Sequence, residues 1–173
     1  GMFLIGFALK LGADNVWLGL ISTIPQFFVV FQFMAARLVE RGVSRKWMTV
    51  VFSFATPFCW FLIAGIPLLG SRLAASQQIG LLIGIIVLVT IAGQFWVNAR
   101  SSWIGDLVPA GRRGRFFGYC TFFAGLVGAG FAIMEGWLLD VVRGHGLYAF
   151  TALFFFGAIF GLVAASLNIP QPD

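Results

Sequence analysis

The sequence predicts an all-α, polytopic transmembrane helix bundle. Hydrophobic residues fill 60% of the 173 positions and charged residues only 10%, against about 25% charged in a soluble domain. The apolar residues gather into runs of membrane-spanning length at 15–36, 47–69, 79–99, 116–139 and 147–169, with a shorter remnant at 2–9. About 20 such residues carry a helix across the roughly 30 Å hydrocarbon core of a bilayer. The loops between the runs alternate between basic and nearly neutral, as they must in a chain that crosses back and forth.

The run 2–9 has no charged region before it, so it does not read as a signal peptide. It is expected to be the end of a first helix, which makes the chain a fragment. Lys10 and Asp14 mark the short, nearly neutral turn that follows. The second helix, 15–36, places Ser22 and Gln26 on one face with Pro25 between them. Proline removes a backbone N–H, and a bend is expected there. Gln32 lies on another face and is expected to be a packing contact. The loop 37–46 sets Arg37, Arg41, Arg45 and Lys46 against Glu40. In the third helix, 47–69, Pro57 and Pro67 are expected to kink the backbone, with Thr56 placed to satisfy a freed group.

Arg72 stands alone in the next loop. The fourth helix, 79–99, carries Thr90, Gln94 and Asn98, with Ser101 just beyond. At 100° per residue these four fall within a narrow arc. The loop 100–115 sets Arg100, Arg112, Arg113 and Arg115 against Asp106. The fifth helix, 116–139, holds Gly125, Gly128, Gly130 and Glu135. The sixth, 147–169, holds Gly157, Gly161 and five phenylalanines, Phe150, Phe154, Phe155, Phe156 and Phe160. Those rings cannot all face one neighbour, so some face lipid. The helix-five and helix-six glycines, with Gly80 and Gly84 in helix four, are expected where helices approach closely. Asp140, Arg143 and His145 form the nearly neutral loop between the last two helices, and residues 170–173 read as a linker.

Lys and Arg accumulate in cytoplasmic loops. Loops 37–46 and 100–115 are therefore expected in the cytoplasm, in a multi-pass protein of a cell membrane, the bacterial inner membrane being the expected one. Trp17, Trp47, Trp103 and Trp137 fall near the expected interfaces. Cys59 and Cys120 lie at different depths, so no disulfide is expected, and both are expected as buried thiols. The net charge of +5 resides in topogenic loops, which removes nucleic acid as a partner.

Polar groups at depth are costly and face a bundle interior or a water-filled cavity. Thr90, Gln94 and Asn98, with Ser22 and Gln26, are candidates for the wall of a substrate cavity. The alternative for the same groups is interhelical hydrogen bonding. Glu135 has two readings, a proton-coupling carboxylate or an acid reaching the outer interface, and its nearness to the helix end favours the second. With one histidine, no Cys-x-x-Cys, no phosphate-binding glycine loop and no paired carboxylates at depth, no enzyme and no cofactor is implied.

The loop Ala36-Arg37-Leu38-Val39-Glu40-Arg41-Gly42-Val43-Ser44-Arg45-Lys46 resembles the signature loop of the major facilitator superfamily, Gly-x-x-x-Asp-Arg-x-Gly-Arg-Arg/Lys. Arg41 and Arg45 match it. Ala36, Glu40, Val43 and Ser44 stand where the family has Gly, Asp, Gly and a basic residue. Asp106-Leu107-Val108-Pro109-Ala110-Gly111-Arg112-Arg113-Gly114 is similar to that family's Asp/Glu-x-x-Pro-x-x-x-Arg-Gly, with Trp103 and Gly118 beside it. Lys10-Leu11-Gly12-Ala13 and Leu18-Gly19-Leu20 are similar to the start of many members.

The resemblance covers the whole chain. It implies the N-terminal six-helix half of a twelve-helix secondary transporter, which moves a small-molecule substrate by alternating access, with a coupling ion such as H+. It also implies a missing C-terminal half as partner, alongside the lipid bilayer. It assigns Glu40, Arg41, Arg45, Asp106, Pro109, Arg113 and Gly114 to a cytoplasmic gating motif. The alternative is that they only fix topology and cap helices. The Gly-Pro element of antiporters is absent from helix five. The rival classes are a non-transporting membrane scaffold or assembly factor, in which Gln94→Ala and Asn98→Ala leave solute flux unchanged, and a membrane-embedded enzyme, whose catalytic residues would lie in missing flanks.

Overall fold

The computed structural model describes residues 2–70, 72–142 and 146–171, without the side chains of Met2, Glu135, Leu139 and Val142. The Glu135 carboxylate, Arg143, His145 and the end of the linker, Pro172 and Asp173, therefore lie outside the described residues. The described elements are all helical. They run α1 (Met2–Lys10), α2 (Asn15–Phe27), α3 (Phe31–Glu40), α4 (Arg45–Gly65), α5 (Ala75–Leu107), α6 (Arg113–Val142) and α7 (Gly146–Ser166). Short 3-10 turns occupy Phe28–Val30, Ile66–Leu69 and Ala110–Arg112. Among the described residues, five stretches are long and apolar enough to cross a membrane: Asn15–Glu40, Arg45–Leu69, Ala75–Leu107, Ala110–Leu138 and Gly146–Ser166.

Helix ends differ from the apolar runs in ways that matter for the site. The second run is one helical path from Asn15 to Glu40, tightened to a 3-10 turn shortly after Pro25. The fourth run lengthens into the 33-residue α5, about 50 Å at 1.5 Å per residue. Arg100 and Asp106 therefore ride on that helix and are not loop residues. Hydropathy marks where lipid ends, whereas backbone hydrogen bonding continues into water. The helix stops at Leu107 because Val108 precedes Pro109 and takes an extended conformation, φ −95° and ψ 126°, as a residue before proline prefers.

Two tight turns share one construction. Gly12 and Gly42 adopt φ of 92° and 90°, open to glycine without a Cβ penalty. There Ala13 N–H donates to the Ala8 carbonyl at 3.0 Å and Val43 N–H to the Leu38 carbonyl at 3.1 Å. Each such bond closes a helix C-terminus. Two residues after each glycine comes the cap of the next helix. The Asp14 carboxylate accepts from Val16 and Trp17 N–H, and Ser44 Oγ accepts from Trp47 N–H, satisfying otherwise unpaired donors.

The main core joins α1, α4, α5 and α7. Phe7, Ile63, Ile66 and Leu82 are fully buried within it. Phe7 meets Phe150 and Phe154 with ring centroids 5.9 and 5.3 Å apart, and Trp60 stacks on Phe154 at 5.6 Å. A smaller core of Ala35, Met48, Phe95 and Ala99 lies toward the basic loops. Phe155, Phe156 and Phe160 stay exposed, so the α7 rings divide between core and surroundings.

Several local expectations change. Trp103 is buried, 4% exposed, because α5 continues past the apolar run and turns the indole into the protein. Thr56 Oγ1 donates to the Phe52 carbonyl, whereas the carbonyl that Pro57 leaves without a helical donor belongs to Ser53. Close helix approach falls on Gly161, where an added Cβ would sit 2.8 Å from Pro57 Cγ. Gly80, Gly84, Gly125, Gly128, Gly130 and Gly157 have nothing within 4 Å of that position. The α6 glycines have open space because α6 is largely uncovered and buries none of its described residues.

Cys120, on α6, is exposed for the same reason, while Cys59 is buried in α4. A maleimide added to the detergent-solubilised protein is expected to modify Cys120 rapidly and Cys59 only after unfolding. Mass spectrometry of the tryptic fragments checks this. Equal labelling of both thiols would contradict the packing of α4.

Candidate functional site

A cavity of about 650 Å³ opens between α2, α4, α5 and α7. That volume lies within the 300–1,000 Å³ range of small-molecule sites. Pro25, Ser53, Thr56, Thr90, Gln94 and Arg100 are among its walls. A second cavity of about 300 Å³, reached by Ser22, adjoins it across Pro25, Val89 and Thr90. Prolines help to make this space. Pro25 and Pro57 both line the larger cavity, and each removes an N–H from the centre of a helix.

The sequence stripe on the fourth span divides in the structure. Thr90 and Gln94 reach the larger cavity. The Gln94 amide also accepts a 2.6 Å hydrogen bond from Gln32 Nε2, and Asn98 Nδ2 makes a long 3.5 Å contact to the Gln32 carbonyl. Gln32 is thus the interhelical partner of the stripe, tying α3 to α5. Ser22 Oγ is turned back on the Leu18 carbonyl, and Gln26 is exposed on α2.

Arg100, Trp96 and Ser53 also line this cavity, and sequence reading did not single them out as site residues. The Arg100 guanidinium lies 5.3 Å from the Trp96 ring centroid. The Trp96 indole N–H is buried with no hydrogen-bond partner among the described residues. Arg100 looked like a loop cation because it follows the last apolar residue of its run. Six positions from Gln94 put it about 120° round the helix, so the polar stripe does not point to it.

At one end of the bundle the two basic segments meet. Arg45, the first residue of α4, pairs with Asp106, next to the last residue of α5. This ion pair places loop 37–46 and the end of α5 at the same end of the molecule. Ser44, Lys46, Trp103 and Leu107 complete a small cavity of about 290 Å³ around it. The Trp103 indole N–H is also buried without a partner among the described residues.

Arg113 Nε donates to the Val108 carbonyl at 2.9 Å, across the turn that Pro109 begins. Gly114 lies exposed in the first turn of α6. Glu40 and Arg41 are exposed and form no ion pair among the described residues. Of the seven loop residues, the structure therefore joins Arg45 to Asp106 and leaves the others apart. No group of three His, Cys, Asp or Glu gathers among the described residues. Neither a protein-family model, nor a curated protein, nor a solved structure matches this chain.

Proposed function

We propose that the chain is one six-helix half of a secondary transporter of the major facilitator type, moving a small solute by alternating access. The observation that carries this is the largely apolar cavity at the middle of α5, bounded by four helices and bearing the polar groups of Thr90 and Gln94. A bundle that only anchored a partner would gain nothing from keeping such a space open. Two prolines beside it give α2 and α4 places to bend. The Arg45–Asp106 pair lies at the end we assign to the cytoplasm, with loops 37–46 and 100–115, in a bacterial inner membrane. There it can form in one state and break in another. The uncovered length of α6 is the surface on which the second half would pack. The coupling ion, with H+ as the first to test, would move down its own gradient.

Alternating access has a direct test. A Thr90→Cys variant with Cys59→Ala and Cys120→Ser is labelled with a membrane-impermeant maleimide in right-side-out and inside-out vesicles. Labelling from both sides is expected. Labelling from one side only, or from neither, would favour the scaffold reading and sink this one.

A further inference from the structure

The larger cavity is not electrically neutral. Among the described residues, Arg100 is the one ionisable side chain lining it, and no carboxylate reaches it. Its other polar walls are hydroxyls and amides, such as Ser53, Thr90 and Gln94. The Ser53 hydroxyl already donates to the Val50 carbonyl at 2.7 Å. The guanidinium is held against the Trp96 face at 5.3 Å, an arrangement that steadies an arginine head without neutralising it. The Trp96 N–H beside it is buried and unpaired, a donor that lacks an acceptor. An arginine fork is suited to bidentate pairing with a planar acid group.

Along α5, Gln94 lies about 9 Å from Arg100 and Thr90 about 15 Å, at 1.5 Å per residue. The cavity is also walled by the apolar Pro57, Val89, Val97 and Gly161. The site thus offers a cation at one end of its α5 wall, hydrogen-bonding groups farther along that wall and apolar surface beside them. We infer, resting on the transporter reading above, that the cavity takes a small organic anion, its acid group on Arg100 and its body toward Gln94 and Thr90.

The sign of the cavity can be measured without knowing the solute. Val97 lines the cavity one helical turn from Arg100 and is 45% exposed. Val97→Cys is placed in the Cys59→Ala and Cys120→Ser background of the full chain. Its reaction rates with the anionic sulfonatoethyl and the cationic trimethylammonioethyl methanethiosulfonates are then compared, each corrected for a free thiol. The corrected ratio is expected to favour the anion. Arg100→Gln is expected to lower it about tenfold, as one unit charge at about 6 Å in a wet cavity requires. Arg100→Lys is expected to keep most of the preference and shows that the site survives substitution.

A ratio that Arg100→Gln leaves unchanged would overturn the anion assignment, as would a thiol that neither reagent reaches. The two readings fail separately. Two-sided labelling of Thr90→Cys with an Arg100-independent ratio removes the anion and keeps the transporter. One-sided labelling with an Arg100-dependent ratio does the reverse.

Discussion

Gly161→Leu will separate α7 from α4 and leave little folded protein in detergent. A Cβ at Gly161 would lie 2.8 Å from Pro57 Cγ and 3.2 Å from Pro57 Cβ. Ordinary side chains could swing away from such a contact. The proline ring cannot, because it is closed onto its own backbone nitrogen. Relief must come from moving α4 or α7, and both carry the main core through Ile63, Phe150 and Phe154. Overpacking of this kind costs about 1–3 kcal/mol for the smallest added group, so Gly161→Ala should lower the thermal midpoint and leucine should do far worse. Gly157→Ala is the control, one turn earlier with nothing within 4 Å. It should match the parent or gain slightly, since alanine favours helix over glycine. Thermal unfolding in a mild detergent, followed by size-exclusion retention, reads both. A stable Gly161→Leu would show that α4 and α7 do not meet through Pro57.

The membrane-spanning pattern was legible because lipid forces it. Every backbone group inside a bilayer must be paired within the segment, so an apolar run of sufficient length has few options besides helix. The limits of that signal lie where lipid ends. Arg100 looked like the first residue of a loop because charge stops a hydropathy run, yet helical bonding carries α5 on to Leu107. What stops it is local: Pro109 forces Val108 out of the helical region, and a proline can be read from sequence. Partnering was less legible. A helical wheel put Thr90, Gln94 and Asn98 on one face but could not say which helix comes to meet that face. Gln32 does, and it was expected on a different errand. The glycines show the same gap. Gly128 and Gly161 look alike in sequence, and only the placement of α7 against Pro57 distinguishes them. The charges of loop 37–46 and of Asp106 marked the region, but no spacing rule selects Arg45 over Arg41 as the partner.

Reversing the Arg45–Asp106 pair is expected to stabilise the protein and, on the transporter reading, to impair its cycle at once. Each charge sits at the unfavourable end of its helix. Arg45 opens α4, where the N-terminal dipole is positive, and Asp106 closes α5, where it is negative. The side chains are 37% and 59% exposed, so the pair itself contributes at most about 1 kcal/mol. The double variant Arg45→Asp with Asp106→Arg keeps the attraction and the net charge. It also converts two dipole penalties, each about 0.3–1 kcal/mol, into gains. A rise of about 1–4 kcal/mol in unfolding stability follows. A sequence that avoids this arrangement is holding a contact weaker than it could be, which suits a latch that must open.

The single change Asp106→Arg sets two arginines face to face. On the transporter reading and its proposed orientation, in the Thr90→Cys background it should raise cytoplasmic relative to external labelling about tenfold, the ratio that about 1.4 kcal/mol supports. The double variant should push the same ratio below that of the parent, because its latch is tighter. If the single and double variants label alike while the double is the more stable, the pair only finishes two helix ends. On the transporter reading, a gate is then to be sought among Glu40, Arg41 and Arg113.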